Sequence, residues 1–198
     1  WVFFAFQFPL GTEEQRAYFS SFGFIPSTFF SQFSNFSVET IVWEWSTVFT
    51  SMFSHGGIFH LLGNLLFLYL YGDNVEEAMG KIWYLAFYLS CGLLAAFAQA
   101  LSNPDSSIPM VGASGAISGV IAGYLLLYPH ANVRVFYWLI ILVGTIRVPA
   151  YLVLGWWLVQ QLIAFPESMN LAGGVAVAAH LGGFAAGFIL TPFAKKKG

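Results

Sequence analysis

Gly112-Ala113-Ser114-Gly115-Ala116-Ile117-Ser118-Gly119-Val120-Ile121-Ala122-Gly123 decides how this chain folds. The stretch is apolar and uncharged, and Gly115, Gly119 and Gly123 recur at every fourth residue. On a helix that interval lays them along one face, where a second helix can press backbone to backbone. A partner of the same kind lies downstream in Ala179-His180-Leu181-Gly182-Gly183-Phe184-Ala185-Ala186-Gly187, with Gly183 and Gly187 at the same interval. Two such faces in contact would carry one serine and one histidine toward each other.

The rest of the chain sets these stretches in lipid. It is 58% hydrophobic and 8% charged over 198 residues, where a soluble domain carries roughly 25% charged residues. The fold class expected is an all-α membrane protein, one domain over residues 1–198 with about six helices in a single bundle. Apolar runs fall near 1–10, 57–72, 81–101, 113–128, 149–165 and 173–193. The run at 1–10 is too short to cross a bilayer and reads as the outer part of a truncated first span. A cleavable signal peptide is not evident. Cys91 is the single cysteine, so an intrachain disulfide is excluded. The absence of a basic stripe speaks against nucleic acid as a partner.

The segment 132–148 is apolar but interrupted by Arg134, Gly144 and Arg147 and followed by Pro149. It reads as a re-entrant or interfacial piece. Lys81, Arg134, Arg147 and Lys195-Lys196-Lys197 then share one side, with Arg16 on the other. The excess of positive residues makes the first side, and the C-terminus, cytoplasmic. The long outer loop 11–54 holds Phe19, Phe22, Phe24, Phe29, Phe30, Phe33, Phe36, Trp43 and Trp45. Such a loop is expected in the headgroup zone with its rings turned down.

Depth follows from helical rise. Counted up from Pro129 and from Lys195, Ser114 and His180 each stand roughly 22 Å above the cytoplasmic ends of their helices. His60, counted from Asp73, stands roughly 20 Å up, and Asn64 one turn lower at roughly 14 Å. Polar groups of three helices therefore share a zone below the outer surface. The loop 102–112 must dip to reach Ser114, and irregular backbone at that depth lines protein or a wet cavity.

Each residue has a plain reading beside a chemical one. Ser114 could belong to the small-residue packing stripe, or stand as a nucleophile at a helix N-terminus whose free N–H groups favour an oxyanion. His180 could be a satisfied core histidine or a general base. His60 and Asn64, at i and i+4, could join helices or donate to an oxyanion. His55 reads as a loop or helix-start contact. Asp73, Glu76 and Glu77 read as structural, with Lys81 or an arginine of 132–148 as partners. No second carboxylate stands in a span for an aspartyl protease, His55 and His60 do not make a zincin motif, and no acid lies at the depth of His180 to complete a triad. A serine–histidine dyad remains.

Three motifs together, Gly112-Ala113-Ser114-Gly115-Ala116, Ala179-His180-x-x-Gly183-x-x-x-Gly187 and His60-x-x-x-Asn64, resemble the rhomboid family of intramembrane serine proteases. The stretch Val148 to Trp156 also resembles the fifth span of bacterial members. The resemblance covers nearly all the chain after residue 50 and implies a bacterial-type six-span core in the inner cell membrane. It implies Ser114 as nucleophile, His180 as base, and His60, Asn64 and the Ser114 amide as oxyanion hole. It further implies Trp156, Trp157 and Phe165 as substrate-gate side chains, with the loop 164–174 as a cap. The substrates implied are transmembrane segments cut near their outer ends, with no metal or cofactor. Two departures stand out. Ser118 occupies the position where some members stack a tyrosine under the histidine, so His180 needs another orienting group. The Trp-Arg pair of some first outer loops is not evident, Trp43-Glu44-Trp45 being the nearest text. A catalytically silent module that holds client helices, or a small transporter, remains open from the residues alone, as does the oligomeric state.

Overall fold

The computed structural model describes residues 11–32, 37–168 and 176–196. The apolar run at 1–10, Phe33 and Phe36, Lys197 and most of the loop expected as a cap lie outside the described residues. Helices run in the order α1 (Thr12–Phe22), α2 (Pro26–Ser31), α3 (Val38–Ser51), α4 (Ile58–Met79), α5 (Lys81–Ser102) and α6 (Ser114–Leu127). A hairpin of β1 (Asn132–Leu139) and β2 (Leu142–Pro149) follows, then α7 (Ala150–Ser168) and α8 (Val177–Ala194).

The architecture is a largely helical bundle with α6 at its centre. Every residue of α6 from Gly115 to Tyr124 is buried. A helix apolar on all sides, as this one is, belongs in the middle of its neighbours. Tyr71, Val75 and Met79 of α4, Phe87 and Cys91 of α5, and Phe184 and Ala186 of α8 close around Ile117, Val120 and Ile121. The outside of the bundle is apolar too, with Leu66, Ile82, Trp83, Ile163, Ile189 and Phe193 all exposed. A surface of that composition is stable against lipid rather than water. α5 and α8 have the length and apolarity to cross a bilayer, while α6 is apolar but shorter. The molecule is an integral membrane protein.

Three expectations are corrected. The piece at 132–148 is a β-hairpin within the helical bundle: β1 and β2 pair antiparallel from Asn132↔Pro149 to Leu139↔Leu142. Its run Val133, Val135, Tyr137 alternates with exposed Arg134, Phe136 and Trp138, which is strand periodicity. The helical class therefore holds for the bundle and not for this hairpin.

The loop 11–54 is not simply a sheet of rings lying on lipid. It folds into α1 to α3, and Phe24, Phe29 and Val48 are buried against Ala96 and Ala100 of α5. Trp43 and Trp45 remain exposed. Thr28 Oγ1 donates to Glu44 Oε2 at 3.1 Å, tying α2 to α3, and burial lifts the Glu44 carboxyl above its usual range.

The acidic end of α4 also differs. Lys196, rather than Lys81, reaches it, and it bonds backbone instead of carboxylates, donating from Nζ to the Glu77 carbonyl at 3.0 Å and from its backbone N–H to the Ala78 carbonyl at 2.9 Å. These bonds fix the chain after α8 to the α4–α5 turn, where Gly80 adopts φ 84°.

Candidate active site

The glycine faces meet as their spacing requires. A Cβ at Gly183 would overlap the Gly115 carbonyl, and one at Gly187 would overlap the Gly119 carbonyl. α6 and α8 therefore touch through backbone, at a separation no larger residue permits. Ser114 is the first residue of α6, and His180 lies in the first turn of α8. The Gln99 carboxamide of α5 accepts from the Ala179 N–H at 3.3 Å, satisfying one orphan donor at the start of α8.

That contact brings Ser114 and His180 together. Ser114 Oγ and His180 Nε2 are 2.8 Å apart, hydrogen-bond distance for a hydroxyl donating to an imidazole. On the far side of the ring, Gln161 Oε1 of α7 accepts from His180 Nδ1–H, again at 2.8 Å. Trp157, one turn before Gln161, lies with its ring centroid 6.2 Å from that of His180 and tilted by 39°. Ser118 does not orient the histidine. Its hydroxyl donates to the Ser114 carbonyl at 2.7 Å.

A cavity of about 270 Å³ opens beside the pair, lined by His60, Asn64, Ser114, Ser118, Trp157 and His180 among apolar neighbours. His60 and Asn64 reach it from one face of α4. Asn64 is buried and donates one amide hydrogen to the His60 carbonyl at 3.0 Å, which leaves its second hydrogen for another acceptor. His60 is exposed toward the cavity. Its ring packs on Gly112, whose φ of 122° is a left-handed value and where a Cβ would stand 2.6 Å from His60 Cε1. The Gly112 N–H donates to the Ser51 carbonyl at 2.9 Å, and Met110 pairs with Phe24 through two backbone bonds. The dipping loop 102–112 is thus stitched to the outer helices and delivers the chain to Ser114.

The N–H groups at the start of α6 have no carbonyl a turn earlier to bind, so the Ser114 end of the helix carries partial positive charge. Hydroxyl, imidazole and amide donors converging on a cavity are the parts of an acyl-transfer site.

Of the residues expected at a gate, Trp157 lines the cavity. Trp156 faces outward, and Phe165 is half-buried near the end of α7. His55 is buried just before α4, its ring 5.2 Å from that of His60. Burial, with a smaller push from the neighbouring His60, brings its pKa down to about 4.

Sequence reasoning missed Gln161. Its signal was present: Gln160 and Gln161 are the polar pair within the apolar run 149–165, and Gln161 shares a helix face with Trp157 at i, i+4. Gln99 was missed for the same reason.

Fold and site define a helical membrane protein with a serine–histidine pair recessed at two helix N-termini. The rhomboid domain pattern matches residues 42–197, and the chain belongs to the rhomboid family. It is similar to the rhomboid-protease candidate YdcA of Bacillus subtilis (strain 168), 28% identical over 149 residues, which are 75% of this chain and 66% of that one. It is also similar to Rhomboid protease GluP of the same organism, 37% identical over 93 residues, or 47% of this chain and 18% of that protein. The human presenilin-associated rhomboid-like mitochondrial protein is 28% identical over 94 residues, 46% of this chain and 25% of that one. The aligned part thus spans about two thirds of one of these relatives and a quarter or less of the other two.

Proposed function

We propose that this protein is an intramembrane serine endopeptidase that cuts transmembrane segments of other membrane proteins near their outer ends. The observation that carries the reading is the 2.8 Å contact between Ser114 Oγ and His180 Nε2 beside a cavity. Hydroxyl and imidazole at bonding distance favour turnover over a silent module that merely holds client helices.

In the proposed cycle His180 Nε2 takes the Ser114 proton while Oγ bonds to the scissile carbonyl carbon. Negative charge moves to the carbonyl oxygen, where His60, Asn64 and the Ser114 N–H donate to it. Collapse breaks the C–N bond as His180 returns the proton to the leaving amine. Water then gives a proton to His180 and attacks the acyl carbon, and collapse breaks the Oγ–C bond as His180 passes that proton to Ser114 Oγ. The substrate helix must unwind locally first, because its carbonyls are occupied by helical hydrogen bonds. Trp157, with Trp156 and Phe165 beyond it, would form the lateral gate on α7. No metal or cofactor is required by these steps.

The wider reading is a single rhomboid-type unit of six spans in a bacterial inner membrane, C-terminus in the cytoplasm. The clustering of Lys81, Arg134, Arg147 and the terminal lysines supports that orientation.

A fluorophosphonate probe on purified protein tests the chemistry. We expect labelling of Ser114, lost in Ser114→Ala and in His180→Ala, with cleavage of a transmembrane substrate abolished in both. Full cleavage by either variant removes the dyad.

A further inference from the structure

We propose that Gln161 is the positioning residue of the dyad, and that it makes the protonation pattern of His180 depend on how α7 is seated. The inference rests on the protease reading above.

A carboxamide oxygen can only accept. With Gln161 Oε1 at 2.8 Å, the proposed arrangement puts the ring hydrogen on Nδ1. Nε2 is then the bare nitrogen, and it is the one facing Ser114 Oγ. Were the ring in its other tautomer, Nε2 would donate to the serine and could not take its proton. A base in the wrong tautomer is worth far less than one correctly held, even when its place is unchanged. Gln161 thus does for His180 what a buried acid does in a triad, without placing a carboxylate in lipid, where an ionised group is costly.

The source of this residue gives the arrangement its second property. Ser114 and His180 stand on α6 and α8, which are locked through glycine backbone. Gln161 stands on α7, whose only buried residues are Ala150 and Leu154, both toward the hairpin. Gln161 lies two turns beyond Leu154, roughly 10 Å along the axis. Over that stretch α7 is held by three half-buried groups: Trp157, near His180 and Phe184, Leu158 against the core, and the Gln161 bond itself. Tilting the far half of α7 outward would break the Nδ1 bond while leaving Ser114 and His180 on their own helices. Neither ring neighbour can replace it: Trp157 can only donate from its indole nitrogen, and Ser114 holds the opposite side of the imidazole.

The experiment compares wild type with Gln161→Ala, Gln161→Leu and Gln161→Glu by two readouts. The first is kinetic. Gln161→Ala and Gln161→Leu should each lose about 10- to 100-fold in kcat with KM little changed, the scale expected of a slightly misplaced catalytic group. Gln161→Glu should recover much of that loss and move the acid limb of the rate profile to higher pH, because a carboxylate stabilises the imidazolium. The second is the ring nitrogen spectrum of 15N-histidine protein, whose four histidines are assigned by substitution. His180 should be the Nδ1–H tautomer in wild type and a mixture in Gln161→Ala and Gln161→Leu.

Wild-type kcat in both Gln161→Ala and Gln161→Leu overturns the proposal. So does an unaltered His180 tautomer, or a Gln161→Glu profile that superimposes on that of Gln161→Ala. The nitrogen spectrum does not need turnover. A tautomer change in a protein that neither cleaves nor labels would leave the positioning role standing and remove the protease reading instead.

Discussion

α6 and α8 on one side, and α7 on the other, hold the same histidine in opposite ways. The α6–α8 contact is backbone on backbone, with Gly183 on Gly115 and Gly187 on Gly119. α7 meets the bundle through a few side chains, and a Cβ at its own Gly155 would touch nothing within 4 Å. The reacting atoms sit where nothing can shift, and the group that orients them sits where something can. A chemical distance of 2.8 Å is best kept by helices that cannot slide, because close-packed interiors transmit strain rather than absorb it. A lateral opening for a bulky substrate is best made where packing is thin.

Substitutions at the tight side should have the largest effect. Gly187→Leu forces α8 off the Gly119 carbonyl, and overpacking of this kind costs about 3 kcal/mol or more. Unfolding titrations in mild detergent should show the loss, with probe labelling of Ser114 abolished at the same time. Retention of both would mean that the helices are less locked than their glycine contacts imply. Asn64→Ala comes next. It spares both contacts and should lower kcat by at most about 10²–10³-fold, the range for one oxyanion donor, with thermal stability little altered. An unchanged rate removes Asn64 from that role.

The buried His55 adds a pH dependence to stability. Its value falls from 6.5 to about 4 in the folded chain. The unfolded chain therefore binds the extra proton across that window, and stability falls as pH drops from 6.5 toward 4. His55→Gln should flatten that slope when unfolding is followed at several pH values. The smallest effect belongs to the loose side. Gly155→Ala has open space around it and should leave the protein unchanged or stabilise it by up to about 1 kcal/mol. A marked loss would show that α7 is seated more tightly than its sparse burial indicates.

Much of the site was legible in the chain. The interval of four in the two glycine faces foretold a close helix contact, and the depth count put Ser114, His180, His60 and Asn64 in one zone. These are local properties, fixed by helical rise and by residue type. The hairpin was less legible because Trp138-Leu139-Ile140-Ile141-Leu142-Val143 is apolar throughout. Alternation before it shows in Val133-Arg134-Val135, too short a run to mark a strand by itself. The outer helices were hidden differently. Phe24 and Phe29 read as lipid-seeking rings, and nothing local says that Ala96 and Ala100 will cover them.

By itself the sequence determined that this chain lives in lipid, that two of its helices press together, and that one serine and one histidine come with them. Small residues at a fixed interval and an almost uncharged composition have few other solutions. The tertiary structure alone decided which ring nitrogen faces the serine and what holds the other one. Gln161 is 19 residues before His180 on a separate helix, and no periodicity links them. Their meeting depends on how α7 leans on α8, a balance of side-chain contacts that no local pattern records.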